Sequence, residues 1–270
     1  MSSGQPVCLI TGASAGIGAA LAHVFARHGH TVVLAARRKE QLDVLAAAIA
    51  ANGHAHPHVI VVDLSRPDGP RHLAEVLDAQ GLEPAYVVNN AGFGLLGDAA
   101  TLDHERQLAM IDLNVRAVTD LSLRFIQSIK RHRGGILNVA SITAFVPGPG
   151  MAVYHATKSF VLSFTEALNC ELTRDGVRVC ALCPGPVPTE FFNLAGVPND
   201  YFPRFLVRSA LRVANDGYQS LVVEKERVVV PGTPNRIFRL LAKWLPRAWV
   251  LAFMQRRWNR YNARKRSPDR

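Results

Sequence analysis

Tyr154 and Lys158 stand four residues apart in the run Tyr154-His155-Ala156-Thr157-Lys158. On a helix that spacing puts both side chains on one face. A free phenol titrates near pH ~10 and is a poor proton carrier at neutral pH. An ammonium beside it favours the phenolate and lowers that value. Such a pair could move a proton onto or off a bound oxygen. A second chemical signal, TGASAGIG at Thr11–Gly18, follows an apolar run and opens a helical pattern. Gly12 permits a tight turn. Gly16 and Gly18 let the backbone approach a pyrophosphate and let the helix pack on a sheet, with Ser14, Ala15 and Ile17 completing the loop. The helix start offers free N–H groups and a favourable dipole to phosphates. The spacing is G-x-x-x-G-x-G, not the more common G-x-G-x-x-G.

Other candidate sites read as structural. Cys180 and Cys183 match a C-x-x-C spacing, but they sit in the apolar run Val177–Leu182 and just beyond it. On a strand, an offset of three points the two side chains to opposite faces. They read as small buried hydrophobes, and no metal site is expected. His54, His56 and His58 alternate before a strand, on the side away from its carboxyl end, and read as a solvated turn. His155 could border a pocket but is given no catalytic role.

Short apolar runs alternate with helical patterns. Strands are expected at Pro6–Ile10, Thr31–Ala35, Val59–Val62, Ala85–Val88, Gly135–Ala140, Val177–Leu182 and Arg227–Val230. They are apolar on both faces, as strands covered on both sides must be. Helices are expected at Ile17–His28, Lys39–Ala51, Pro70–Ala79, Asp103–Lys130, Val153–Arg174 and Ser209–Val223. The alternation predicts an α/β fold, a doubly wound parallel sheet of seven strands with helices on both faces and right-handed crossovers. Both chemical signals then fall at strand ends and helix starts.

The chain resembles the short-chain dehydrogenase/reductase family over roughly Val7 to Gly232. The motifs carrying this are TGASAGIG, Asp63-Leu64 after the third strand, NNAG at Asn89–Gly92, Asn114, Ser141, YHATK at Tyr154–Lys158, and Pro184-Gly185. The resemblance implies a Rossmann domain in which Asn114, Ser141, Tyr154 and Lys158 are catalytic. Tyr154 would pass the proton while hydride moves between the nicotinamide and a carbonyl or alcohol carbon. Ser141 would polarise the substrate oxygen. Lys158 would also bind the nicotinamide ribose, and Asn114 would hold a water connecting Lys158 to solvent. Asp63 would meet the adenine, and Asn90, Ala91 and Gly92 would line the nucleotide cleft. Pro184, Gly185, Val187 and Thr189 would close the nicotinamide end.

The second strand ends Leu34-Ala35-Ala36-Arg37-Arg38-Lys39, with no acid before Glu40. A carboxylate there would suit NAD, whereas a guanidinium can grip the extra phosphate of NADP. Arg37, assisted by Arg38 or Lys39, points to NADP (NADPH) over NAD; the alternative is a solvated basic turn.

The formal net charge is +10, yet residues 1–234 hold equal numbers of cations and anions, and residues 235–270 hold 11 basic residues against one acid. Residues 1–234 are read as one domain with a substrate lid at about 185–215, and 235–270 as a basic amphipathic appendix outside the motif-bearing fold. A neutral body argues against nucleic-acid binding. The lid carries Phe191, Phe192, Leu194, Val197, Tyr201, Phe202, Phe205 and Leu206. These residues either form a pocket for an apolar carbonyl or alcohol or simply pack the lid down. In the appendix, Ile237, Leu240, Leu241, Trp244 and Leu245 form one helical stripe. Val250, Phe253, Met254, Trp258 and Tyr261 form a second, beyond Pro246. These stripes could meet a membrane surface, another subunit or the chain's own body. Arg264 to Arg270 is expected to fray. The family forms homodimers and homotetramers. Four cysteines, no positively charged start and no apolar run of about eighteen residues suggest a cytoplasmic protein, either free or peripheral at a membrane. The competing function is a nucleotide-sensing scaffold without catalysis.

Overall fold

Runs of Val, Ile and Leu with both faces apolar can only be satisfied as strands covered on both sides. The computed structural model describes residues 4–198, 201–224 and 226–266 and contains seven such strands. They are β1 (Gln5–Thr11), β2 (Val32–Ala36), β3 (His58–Val61), β4 (Leu82–Asn89), β5 (Gly135–Val139), β6 (Arg178–Leu182) and β7 (Val228–Val229). All pairings are parallel, in the order β3-β2-β1-β4-β5-β6-β7. The order reverses between β1 and β4. The crevice at the carboxyl ends of these two strands is where ligands bind in such sheets. β7 is two residues long, shorter than expected; Pro231 beyond it has no N–H to continue a ladder.

Helices cover both faces. On one side lie α1 (Gly16–Arg27) and α2 (Lys39–Ala51). Phe25, Leu21 and Leu42 pack there against Ile10 and Leu34. On the other lie α3 (Gly69–Ala79), whose Leu73 and Leu77 meet Leu9 and Val33, and a helical segment after α3. That segment departs from the single helix expected over Asp103–Lys130. It runs as α4 (His104–Ile111), a π-helical turn at Asp112–Ala117, α5 (Val118–Arg124) and α6 (Ile126–His132). The break between α5 and α6 falls at Phe125, whose side chain turns into the core while its backbone leaves helical values (φ −98°, ψ 6°).

The helix bearing Tyr154 is α7 (Ala152–Leu172). The lid contains α8 (Glu190–Ala195) and leads to α9 (Ala210–Tyr218), which returns to the first face beside α1. Cys180 and Cys183 join different apolar clusters, as an offset of three on a strand requires, and burial pushes both thiols up.

The appendix forms α10 (Thr233–Trp244) and α11 (Arg247–Arg266), separated by an extended Leu245 before Pro246. It packs on the body. Buried Asn235 donates to the carbonyls of Pro231 (2.8 Å) and Leu206 (3.3 Å). Trp258 is only 7 % exposed and donates its indole N–H to Asp98 at 2.8 Å. Its ring fills the space above Gly150, where a Cβ would approach Trp258 to 2.3 Å. The helix continues through Arg266, so the fraying expected from Arg264 does not begin there; residues 267–270 lie outside the described residues. No described helix is long and apolar enough to cross a membrane.

Candidate active site

The glycine loop occupies the turn from β1 into α1. Gly12 (φ 64°) lies so close to the chain after β4 that a Cβ would come within 2.8 Å of the Ala91 Cα. Gly16 (φ 59°) faces Thr189, which a Cβ would meet at 3.0 Å. At the start of α1 no side chain caps the helix and no acid lies in the first turn, so its amides remain for an anion. Asn90 ties the loop in place, its amide donating to the carbonyls of Thr11 (2.9 Å) and Gly12 (3.1 Å). Gly18 does not line the cleft. A Cβ there would sit 2.3 Å from the Gly12 oxygen, so its role is to let the helix carry the loop.

A cleft of about 440 Å³ runs from this loop across the sheet edge. Its walls include Gly12, Ser14, Ala15, Gly16, Ile17, Arg37, Arg38, Asp63, Leu64, Asn90, Ala91 and Gly92 at one end. Ser141, Tyr154, Lys158, Pro184, Gly185, Val187 and Thr189 lie at the other. Free helix amides and backbone without side chains fit a dinucleotide, and two guanidiniums stand at the same end. Burial pushes the Asp63 carboxyl up, but hydrogen bonds from Ser65, with Arg37 and Arg66 nearby, outweigh it and hold the carboxyl below its ordinary value. Arg38 donates to Ser14 Oγ (3.1 Å) and pairs with Glu190 of α8 (2.8 Å), linking the loop to the lid.

At the far end Tyr154 and Lys158 are both buried. Lys158 Nζ donates to the Val139 carbonyl at 2.7 Å, and burial lowers its pKa to about 8. Burial raises Tyr154 to about 12, and the neighbouring Ser141 hydroxyl only partly offsets this. The expectation that Lys158 depresses the phenol is therefore not met in the protein alone, because the ammonium points to Val139 and desolvation dominates. Ser141 Oγ accepts from the Thr143 amide at 3.1 Å, which leaves its proton for a bound oxygen.

Asn114 sits behind the cleft wall rather than on it. It lies in the π-helical turn. Its amide donates to the Phe93 carbonyl (2.9 Å) and Thr157 Oγ1 (3.1 Å), while its oxygen accepts from the Phe93 amide (3.1 Å). Both amide hydrogens are thus committed, and the side chain braces the loop after β4 against α7, while Oδ1 keeps one lone pair. A Cβ on Gly92 would meet Asn114 Oδ1 at 2.8 Å and Lys158 Nζ at 3.5 Å.

Sequence reasoning missed several contributors. Thr143 lines the cleft with a buried hydroxyl that has no partner among the described residues. Thr157 holds Asn114. Phe238, Phe253, Met254 and Arg257, all from the appendix, line the same cleft. Arg257 lies over the rings of Tyr201 (4.7 Å) and Phe202 (5.3 Å) and donates to the Tyr201 carbonyl at 2.8 Å. The second stripe of the appendix was visible in the sequence, but not what it faces. In the lid, Phe192 and Val197 bury themselves against Leu95, Met110 and Tyr154 while also lining the cleft, so they both pack the lid and form the pocket. Phe205 does neither and is 64 % exposed.

This sheet, with its phosphate-binding turn and buried Tyr–Lys pair at one crevice, defines a nucleotide-binding oxidoreductase of the Rossmann type. The chain belongs to the short-chain dehydrogenase family, whose model, described as short chain dehydrogenase, matches residues 6–196. It is 33% identical over 243 residues to 17-beta-hydroxysteroid dehydrogenase type 3 of Rattus norvegicus, covering 85% of this chain and 77% of the relative. Among solved structures it is similar to a short-chain dehydrogenase from Sphingobium yanoikuyae in complex with NADPH (TM-score 0.78, 33% identity, 87% of this chain and 91% of the other). It is also similar to the 3-ketoacyl-(acyl-carrier-protein) reductase from Brucella melitensis complexed with NADH (TM-score 0.74, 28% identity, 86% and 98%). The chain is an oxidoreductase of this family that uses a nicotinamide cofactor.

Proposed function

We propose that the protein is an NADPH-dependent carbonyl reductase, running in reverse as an alcohol dehydrogenase, for a small to medium apolar substrate. The observation that carries the reading is that Ser141, Tyr154 and Lys158 converge at one end of the cleft among Met151, Phe191 and Phe192. When bound, the nicotinamide supplies the hydride for a carbonyl carbon. Tyr154, kept protonated by burial, holds the proton that the reduced oxygen needs. Ser141 donates to that oxygen and polarises the carbonyl. Lys158 supplies positive charge and binds the ribose. Arg37 and Arg38 read the 2′-phosphate, which favours NADPH over NADH, and Asp63 meets the adenine. Asn114 acts through Thr157 and Phe93 as a positioning residue. The apolar side chains at this end suit an acyl, steroid-like or other lipid-like ketone. Leu108 and Ile111 on α4, Leu123 on α5 and Phe160 on α7 are exposed and supply apolar faces for a homodimer or homotetramer.

A panel of apolar ketones and aldehydes, followed by NADPH absorbance, tests the reading. Turnover with several members is expected. Tight NADPH binding with no turnover across the panel would favour a nucleotide-sensing scaffold.

A further inference from the structure

The inner faces of α10 and α11 are spent on the body, through Asn235, Phe238, Met254 and Trp258. Their outer faces have no partner among the described residues. Ile237, Leu240, Leu241 and Trp244 of α10 are 52–75 % exposed and follow one helical stripe. On α11, Trp249 (69 %) and Phe253 (63 %), four residues apart and so on one face, are exposed as well. Exposed tryptophans, one on each helix, are costly in water and suit an interface with an apolar and a wet side. Lys243, Arg247, Arg256 and Arg260 are exposed on the same two helices, and no acid occurs from residue 235 to 268.

We propose that this surface seats the protein on an anionic lipid bilayer, with the mouth of the cleft turned toward the lipid. Charge complementarity selects the occupant. An anionic headgroup layer attracts each exposed cation. A second copy docking through the same face would set one cationic patch against another, which a symmetric contact cannot avoid. The surface and the mouth meet at Phe253, which is at once exposed and part of the cleft lining. Leu194 of the lid, 64 % exposed, also lines the cleft. Docking stands on these observations alone. Delivery of substrate from the bilayer rests in addition on the apolar-substrate reading.

Cosedimentation of the full chain with phosphatidylcholine vesicles, with and without phosphatidylglycerol, tests the docking. The wild type should pellet with the anionic vesicles and be released by salt. Leu240→Glu combined with Trp244→Glu, neither in the cleft lining, should lower the partition coefficient at least about tenfold. NADPH binding and elution volume of the double variant serve as folding controls and should stay unchanged. Three results would overturn the proposal: no binding by the wild type, equal pelleting of the double variant, or a drop of that variant to a smaller oligomer. The last would assign the face to a second copy. The readout needs no turnover, so failure of docking and failure of the reductase reading are told apart.

Discussion

Raising the pH should switch off carbonyl reduction through Lys158, well before Tyr154 titrates. Burial lowers Lys158 to about 8 and raises Tyr154 to about 12. Reduction needs the phenol protonated and the ammonium charged. The profile of kcat/KM reports groups of the free enzyme. It should therefore be flat to about pH 7, then fall about tenfold per unit above pH ~8. Lys158→Arg keeps its charge at any accessible pH, so its residual activity should lose this alkaline limb. The same shift has a stability consequence with a defined sign. Folded Lys158 binds fewer protons than the unfolded chain between about pH 8 and the ordinary lysine value of 10.5. Stability therefore rises with pH across that window, and the cost of the buried charge is fully present below it. At about 1.36 kcal/mol per unit, that cost is on the order of 3 kcal/mol as an upper bound. Lys158→Met should accordingly raise stability to urea at pH 7 while abolishing turnover. An alkaline limb near pH 10, or one unmoved by Lys158→Arg, would refute the argument, as would a destabilised Lys158→Met.

Other perturbations separate the parts of the cleft. Arg37→Ala should weaken NADPH binding about tenfold to a hundredfold, the range of one lost charge-assisted bond, and leave NADH unchanged in titrations of both. Glu190→Gln, which releases Arg38 and removes a carboxylate from the phosphate end, should tighten NADPH a few-fold in the same titration. Trp258→Ala removes a buried indole and its bond to Asp98, and should cost about 3 kcal/mol of docking for α11. Faster hydrogen exchange along that helix and a higher KM for apolar ketones, with NADPH affinity unchanged, are the expected readings.

The strands were legible because parallel strands covered on both faces need continuous Val, Ile and Leu, and all seven lie within a few residues of their expected positions. The cleft was legible because its residues sit at strand ends in an order that resembles one family. What escaped depends on three-dimensional neighbours. The apolar pattern runs on through Phe125, so it hides the break between α5 and α6. Burial that raises Tyr154 and lowers Lys158 has no sequence signature. The amide of Asn114 is committed to Thr157 and Phe93, partners that only folding brings together. Trp258 reads as one more stripe residue until Gly150 is found beneath it, and that contact turns a separate-looking appendix into a wall of the cleft.

The central claim is that Tyr154 carries the proton in a cleft that binds NADPH independently of it. Tyr154→Phe removes one oxygen and keeps the ring packed against Phe191. Paired NADPH titration and turnover on the best ketone of the panel measure the two properties on one sample. NADPH affinity should stay within a few-fold of wild type while kcat falls at least about a hundredfold. Turnover comparable to wild type in Tyr154→Phe, with the cofactor bound, would contradict the claim.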